Sequence, residues 1–148
     1  HRDPACSEDA VKVRRPREAV GERLPRWWYH RRPVPTHWLN AVLVHLPWVE
    51  RLLVKLVRRH VPRLDSAQAA QARLFCAQEA VHAAEHQKAL ALLDGQGLGA
   101  ALEQQSWRPL VSALMVRLPP RLSLACAAAA EHIVAEMSVA IFRGGHPA

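Results

Sequence analysis

The stretch Gln78-Glu79-Ala80-Val81-His82-Ala83-Ala84-Glu85-His86 decides the fold. It contains no glycine, proline or β-branched run, so it reads as the interior of a helix. At about 100° per residue, with Glu79 at zero, His82 falls near −60° and His86 near −20°. A carboxylate and two imidazoles therefore project from one narrow stripe and can reach a single metal-sized point. The pattern is short, and a solvated helix can carry Glu and His together by chance. Its meaning depends on what the rest of the chain brings to it.

Outward from this stretch, Asp65 with Gln68 three residues later resembles a capping box. The helix it opens is expected to run to about Asp94, where Gly95-Gln96-Gly97-Leu98-Gly99 ends it. Upstream, a helix is expected over residues 36–60, with Thr36 as N-cap, Pro62 as stop and Pro47 kinking or dividing it. Leu43, Leu46, Glu50, Leu53, Val54, Val57 and Val61 share one stripe of that helix, so Glu50 is an acid on an apolar face. Downstream, residues 100–118 form a less regular helix interrupted by Pro109. Pro119-Pro120 then opens a last helix over residues 121–142, closed by Gly144-Gly145. In it, Leu124, Ala127, Ala135, Ser138 and Phe142 lie within about 40° of Glu131, a second acid in a core-facing stripe.

Composition agrees with four helices. The 148 residues suit one domain, half of them are apolar, and six glycines leave little for hairpin turns. The expected class is all-α, with a Pro/Arg/Trp-rich extended arm over residues 1–35 and a helical bundle over 36–148. Pro16, Pro25, Pro33 and Pro35 bar a long helix from the arm. Trp27, Trp28 and Tyr29 form an aromatic knot that pins the arm to the bundle. Trp38, Trp48 and Trp107 are expected to pack, and His37, His45 and His60 to be ordinary surface or core histidines. His132 and Glu136 read as an i,i+4 pair.

Twenty Lys and Arg against 13 Asp and Glu leave a net charge of +7. The basic residues are dispersed (Arg14-Arg15, Arg31-Arg32, Arg58-Arg59), which reads as solvated helix ends; no specific nucleic-acid site is expected. Three cysteines without a CxxC pair argue for a reducing, cytoplasmic compartment, with Cys76 and Cys126 as small core residues. The most apolar run, Leu122 to Phe142, carries Glu131, His132 and Glu136, so no membrane span is expected. No leader peptide is visible.

Burying an unpaired carboxylate costs several kcal/mol, by order of magnitude, or a large upward pKa shift. Two such acids, Glu50 and Glu131, beside an aligned Glu-x-x-His on a third helix are best explained by a shared cation. A Glu from each of two helices plus Glu-x-x-His from others is the di-metal carboxylate pattern of ferritin-like bundles. Here Glu50, Glu79 with His82, and Glu131 follow its chain order, and the second Glu-x-x-His is absent, so the bundle is expected to be partial.

These residues resemble the bacterial family of predicted metal-dependent hydrolases. The resemblance runs from Val13-Arg14-Arg15 through Leu24-Pro25-Arg26-Trp27-Trp28 and Pro35-Thr36-His37-Trp38-Leu39-Asn40-Ala41. It continues over Glu50-Arg51, Phe75 to His86, and Glu131-His132. It implies a ferritin-like bundle in which Glu50, Glu79, His82 and Glu131 are metal ligands, with His86 and His132 nearby. It also implies longer relatives whose next helix completes the second half-site. The missing initiator Met and the Gly-Gly-His-Pro-Ala ending fit a fragment or a truncated product. The expected cofactor is a divalent metal, iron or manganese before zinc, activating water or dioxygen on a small-molecule substrate. A homodimer could supply further ligands.

Two other readings compete. His82-Ala83-Ala84-Glu85-His86 matches HxxEH, the inverted zinc-peptidase motif, with Glu85 as general base and Glu131 or Glu136 as third ligand. That motif belongs to an α/β domain, which this chain does not offer. A non-catalytic basic helical module is the other, testable by whether binding to duplex DNA survives physiological salt.

Overall fold

The computed structural model describes residues 13–15, 23–98 and 107–143. Its elements are α1 (Pro33–Arg58), a 3-10 turn (Val61–Arg63), α2 (Ser66–Asp94), α3 (Arg108–Arg117) and α4 (Pro120–Arg143). The described residues contain no strand, and the class is all-α. The 3-10 turn is too short for anything but an antiparallel return, so α1 and α2 form the principal pair. α4 lies against α1, and α3 against α4.

Four prolines act differently from the expectation. Pro33 is the first residue of α1, and Pro35 also lies in its first turn. There the missing N–H has no partner to lose, so proline starts the helix instead of barring it. Thr36 consequently lies inside α1 and is not its cap, which is Arg32. It is fully buried, donates from Oγ1 to Arg32 O at 2.6 Å and accepts from Tyr29 N at 3.3 Å. α1 continues undivided through Pro47, whose ring is wholly buried. Pro109, likewise, lies in the opening turn of α3 and interrupts nothing.

α2 begins as its sequence implies. Asp65 Oδ1 accepts from Gln68 N at 2.8 Å, and Gly95 closes the helix with its N–H on Ala91 O. Gly97 follows at φ +78°, a conformation that glycine adopts without steric cost. Asp65→Ala is expected to cost about 1 kcal/mol. It should appear as a lowered urea midpoint with unchanged slope.

The core is centred on Leu53, Leu56 and Ala127, with Val49, Leu52, Met115 and Val116 packed around them. Of the stripe expected on α1, Glu50 and Leu53 are buried and the remainder half-buried, whereas Val44, Pro47 and Leu56 go deeper. α1 is covered by α2 and by α4, so its buried arc is wider than one stripe. α4 is packed more thinly. Ala127 is buried, Glu131 and Ser138 are half-buried, and Leu124 and Ala135 are exposed. Cys76 is buried as expected, but Cys126 is exposed on α4's outer side. His132 and Glu136 are also exposed, and no ion pair joins them among the described residues. Phe142's side chain, Gly99 and Gly144-Gly145 lie outside the described residues. By length and composition alone, Pro120–Ile141 is apolar enough to cross a membrane.

The aromatic knot does pin the arm. Trp28 Nε1 donates to Asn40 Oδ1 at 2.8 Å, and Tyr29 Oη donates to Ile141 O at 3.3 Å, tying the arm to α1 and to the end of α4. Trp27 meets His37 edge-on at 5.2 Å. His30 and Arg31 adopt φ of 49° and 56°, a turn that costs about 1 kcal/mol or more per residue and is held by these anchors. Trp48 donates to Ser112 Oγ at 3.1 Å and meets Trp107 edge-on, which fixes α3 beside α1. Trp38, by contrast, is half exposed.

Candidate metal centre

The middle of α1 and the middle of α2 each place one carboxylate in the interface between them. Glu50 and Glu79 are 5% and 4% exposed, so both are removed from water. One donor atom from each, together with one from His82, lie within 4.8 Å of one another. Glu79 Oε1 is 3.5 Å from His82 Nδ1, the i,i+3 contact that helical spacing dictates.

His82 is exposed but not loose. Gln78 Nε2 lies 2.8 Å from His82 Nε2, which holds the ring with Nδ1 towards Glu79. Gln78 is itself clamped by the arm: Arg14 N donates to its Oε1 at 2.6 Å, and its Nε2 donates to Arg14 O at 3.1 Å. This positioning role was missed in the sequence. The signal was present, because Gln78 stands four residues before His82 and one turn of helix makes them neighbours.

His86 is drawn to the other helix. Its Nδ1 lies 2.7 Å from Glu50 Oε1, while Glu50 Oε2 is buried with no hydrogen-bond partner. The stripe on α2 therefore brings Glu79, His82 and His86 to one side, but divides the imidazoles between two carboxylates. The two rings are 6.5 Å apart.

Glu131 enters from α4. It is half-buried and stands outside the tight group of Glu50, Glu79 and His82. Its charge nevertheless reaches them. Burial, then Glu131, then Glu50 push the Glu79 carboxyl up to about 7, against the opposing pull of His86. Burial and Glu50 push Glu131 up as well. Glu85 is not part of the cluster: it pairs with Lys88 Nζ at 2.8 Å along the outer side of α2.

Burial and neighbouring negative charge hold protons on Glu79 and Glu131, and each proton retained is a measure of missing positive charge. The donor set is hard oxygen plus imidazole nitrogen, with one buried oxygen unclaimed. A divalent cation satisfies all of these at once, so the residues fit a metal. No curated protein and no solved structure matches the chain significantly. A family model described as predicted metal-dependent hydrolase matches residues 12–146, nearly the whole chain, and the protein belongs to that family.

Proposed function

We propose that Glu50, Glu79 and His82 ligate a divalent cation, with Glu131 and His86 completing the site, and that the protein hydrolyses a small-molecule substrate there. The observation that carries this reading is the buried, unpartnered Oε2 of Glu50, on a residue that offers a donor atom within 4.8 Å of those of Glu79 and His82. Glu on α1, Glu-x-x-His on α2 and Glu on α4 follow the order of ferritin-like metal bundles. A carboxylate-rich set favours iron or manganese over zinc. Such a cation supplies Lewis acidity, polarising the bond to be cut and lowering the pKa of water.

The chain's own residues then have distinct tasks. Gln78 and the Arg14 backbone orient His82. Glu50 fixes the His86 ring through Nδ1, which leaves Nε2 as the nitrogen His86 would offer to the cation. Glu131, at the edge of the cluster, also lines an adjoining hollow. A charged residue in the middle of α4 also favours a bundle helix over a membrane span, since Glu131 would be costly in lipid.

The test is metal content per chain after anaerobic reconstitution with Fe(II), Mn(II) and Zn(II) in parallel. Stoichiometric iron or manganese, lost in Glu79→Ala and kept in Glu85→Gln, is the expected result. Zinc retained in Glu79→Ala but lost in His86→Ala would turn the assignment to the HxxEH reading. No stoichiometric metal would overturn both. Oxygen uptake by the loaded protein would replace water with dioxygen as the co-reactant.

A further inference from the structure

The acidic cluster interrupts a longer apolar trough between α4 and the α1–α2 pair. On α4, Leu124 and Ala128 line one hollow, Val134 and Met137 line another, and Glu131 stands between them. On α1, Leu53 and Val57 belong to the first hollow, Leu43 and Leu46 to the second, and Glu50 to the turns between. The second hollow is about 160 Å³ and ends at His86. The first is about 530 Å³, within the range of small-molecule sites.

The lining of the larger hollow limits what it can hold. Leu53, Val57, Leu64, Phe75 and Leu124 supply apolar surface, and the polar groups are Gln68, Gln71 and Glu131. Among the described residues no Lys, Arg or His lines it, so a phosphate or carboxylate finds no counter-charge there. The single carboxylate sits at the end nearest Glu50 and Glu79. An occupant must be apolar along its length and polar at one tip. A second copy of the chain suits the trough poorly, because each copy carries +7 and would bury Glu131 against its partner.

We propose that this hollow is the tail subsite for an unbranched acyl chain, and that the substrate is an acyl ester or amide whose carbonyl sits at Glu131 beside the cluster. The proposal rests on the metal-site reading for its chemistry and on the trough for its specificity. In the reaction, the oxygen of water adds to the carbonyl carbon and the bond from that carbon to the alcohol oxygen or amine nitrogen breaks. The leaving group takes up a proton as the acid is released. The short second hollow, with His86 at its end, accommodates a small alcohol or amine portion.

The test is calorimetric binding of octanohydroxamate against acetohydroxamate, to metal-free and to Mn(II)-loaded protein. Affinity should rise about fourfold per methylene while the chain stays within the trough. Ala128→Trp, at an exposed position of α4, and Ala72→Trp, facing it from α2, should each abolish that dependence without altering metal stoichiometry. Chain-length independence with metal stoichiometrically bound would overturn the tail subsite and leave the metal reading intact. Chain-length dependence without any metal binding would uphold the subsite and sink the metal reading alone. A dimer by sedimentation that excludes octanohydroxamate, and that Ala128→Trp dissociates, would assign the trough to a second copy and overturn the proposal.

Discussion

Glu79→Gln is expected to abolish stoichiometric metal binding while making the metal-free protein more stable at neutral and alkaline pH. The two effects have one origin. Glu79 is 4% exposed and shares its surroundings with Glu50 and Glu131, so its ionised form is costly unless a cation is present. Its carboxyl holds a proton up to about 7, against an ordinary 4.5. That difference corresponds to about 3 kcal/mol of destabilisation once the group is ionised, which glutamine removes. Glutamine keeps the shape and one acceptor oxygen but not the charge, so metal affinity should fall by more than the roughly tenfold to hundredfold seen when a supporting residue is lost. Urea unfolding of the metal-free protein and metal analysis of the reconstituted protein give the two readouts. A purely structural role for Glu79 predicts destabilisation instead, because a buried hydrogen-bonding partner of His82 would have been weakened. A stabilised protein that binds no metal separates the two.

That opposition also shows what was legible in the sequence. Glu50 could be assigned to the interior because helical periodicity is a local property: a charged residue among apolar ones at i±3 and i±4 has only one face to occupy; Glu131, assigned in the same way, is only half-buried. The cap at Asp65 and the stop at Gly95 were legible for the same reason. The errors fall where the answer depends on which element lies opposite. Pro33 and Pro35 bar a helix in general, but not in its first turn. Where that turn begins was set by Thr36, whose hydroxyl closes back on Arg32 and Tyr29. Cys126 looked like a core residue because its neighbours on α4 are all small and apolar, yet α4 buries only a narrow edge against α1. The same loose packing leaves Glu131 outside the tight cluster while its charge still acts on Glu79. His86 shares a stripe with Glu79, but its hydrogen bond goes to Glu50 across the helix interface, which no single-helix projection can show.

The dependence of stability on pH should reverse sign when metal is added. In the metal-free protein, Glu79 binds its proton more tightly when folded than when unfolded, and Glu131 is shifted in the same direction. Between about 4.5 and 7 the folded state therefore carries more protons than the unfolded one. Stability must then fall as pH rises through that window and level off above it. The groups that face Glu79 are Glu50 from α1, Glu131 from α4, and His82 and His86 from α2 itself; the burial of Glu79 and the two acids outweigh the pull of His86. A bound divalent cation inverts the balance, since it stabilises the carboxylates and competes with protons for them. Metal-loaded protein should then lose stability as pH falls through the same window, and the two curves should cross. Urea midpoints measured across the window, with Mn(II) and with a chelator, would show it. About 3 kcal/mol of the change for the metal-free protein should come from Glu79 and be lost in Glu79→Gln, leaving only the part that Glu131 contributes. Parallel curves with and without metal would mean that the cation, if bound at all, sits elsewhere than on these carboxylates.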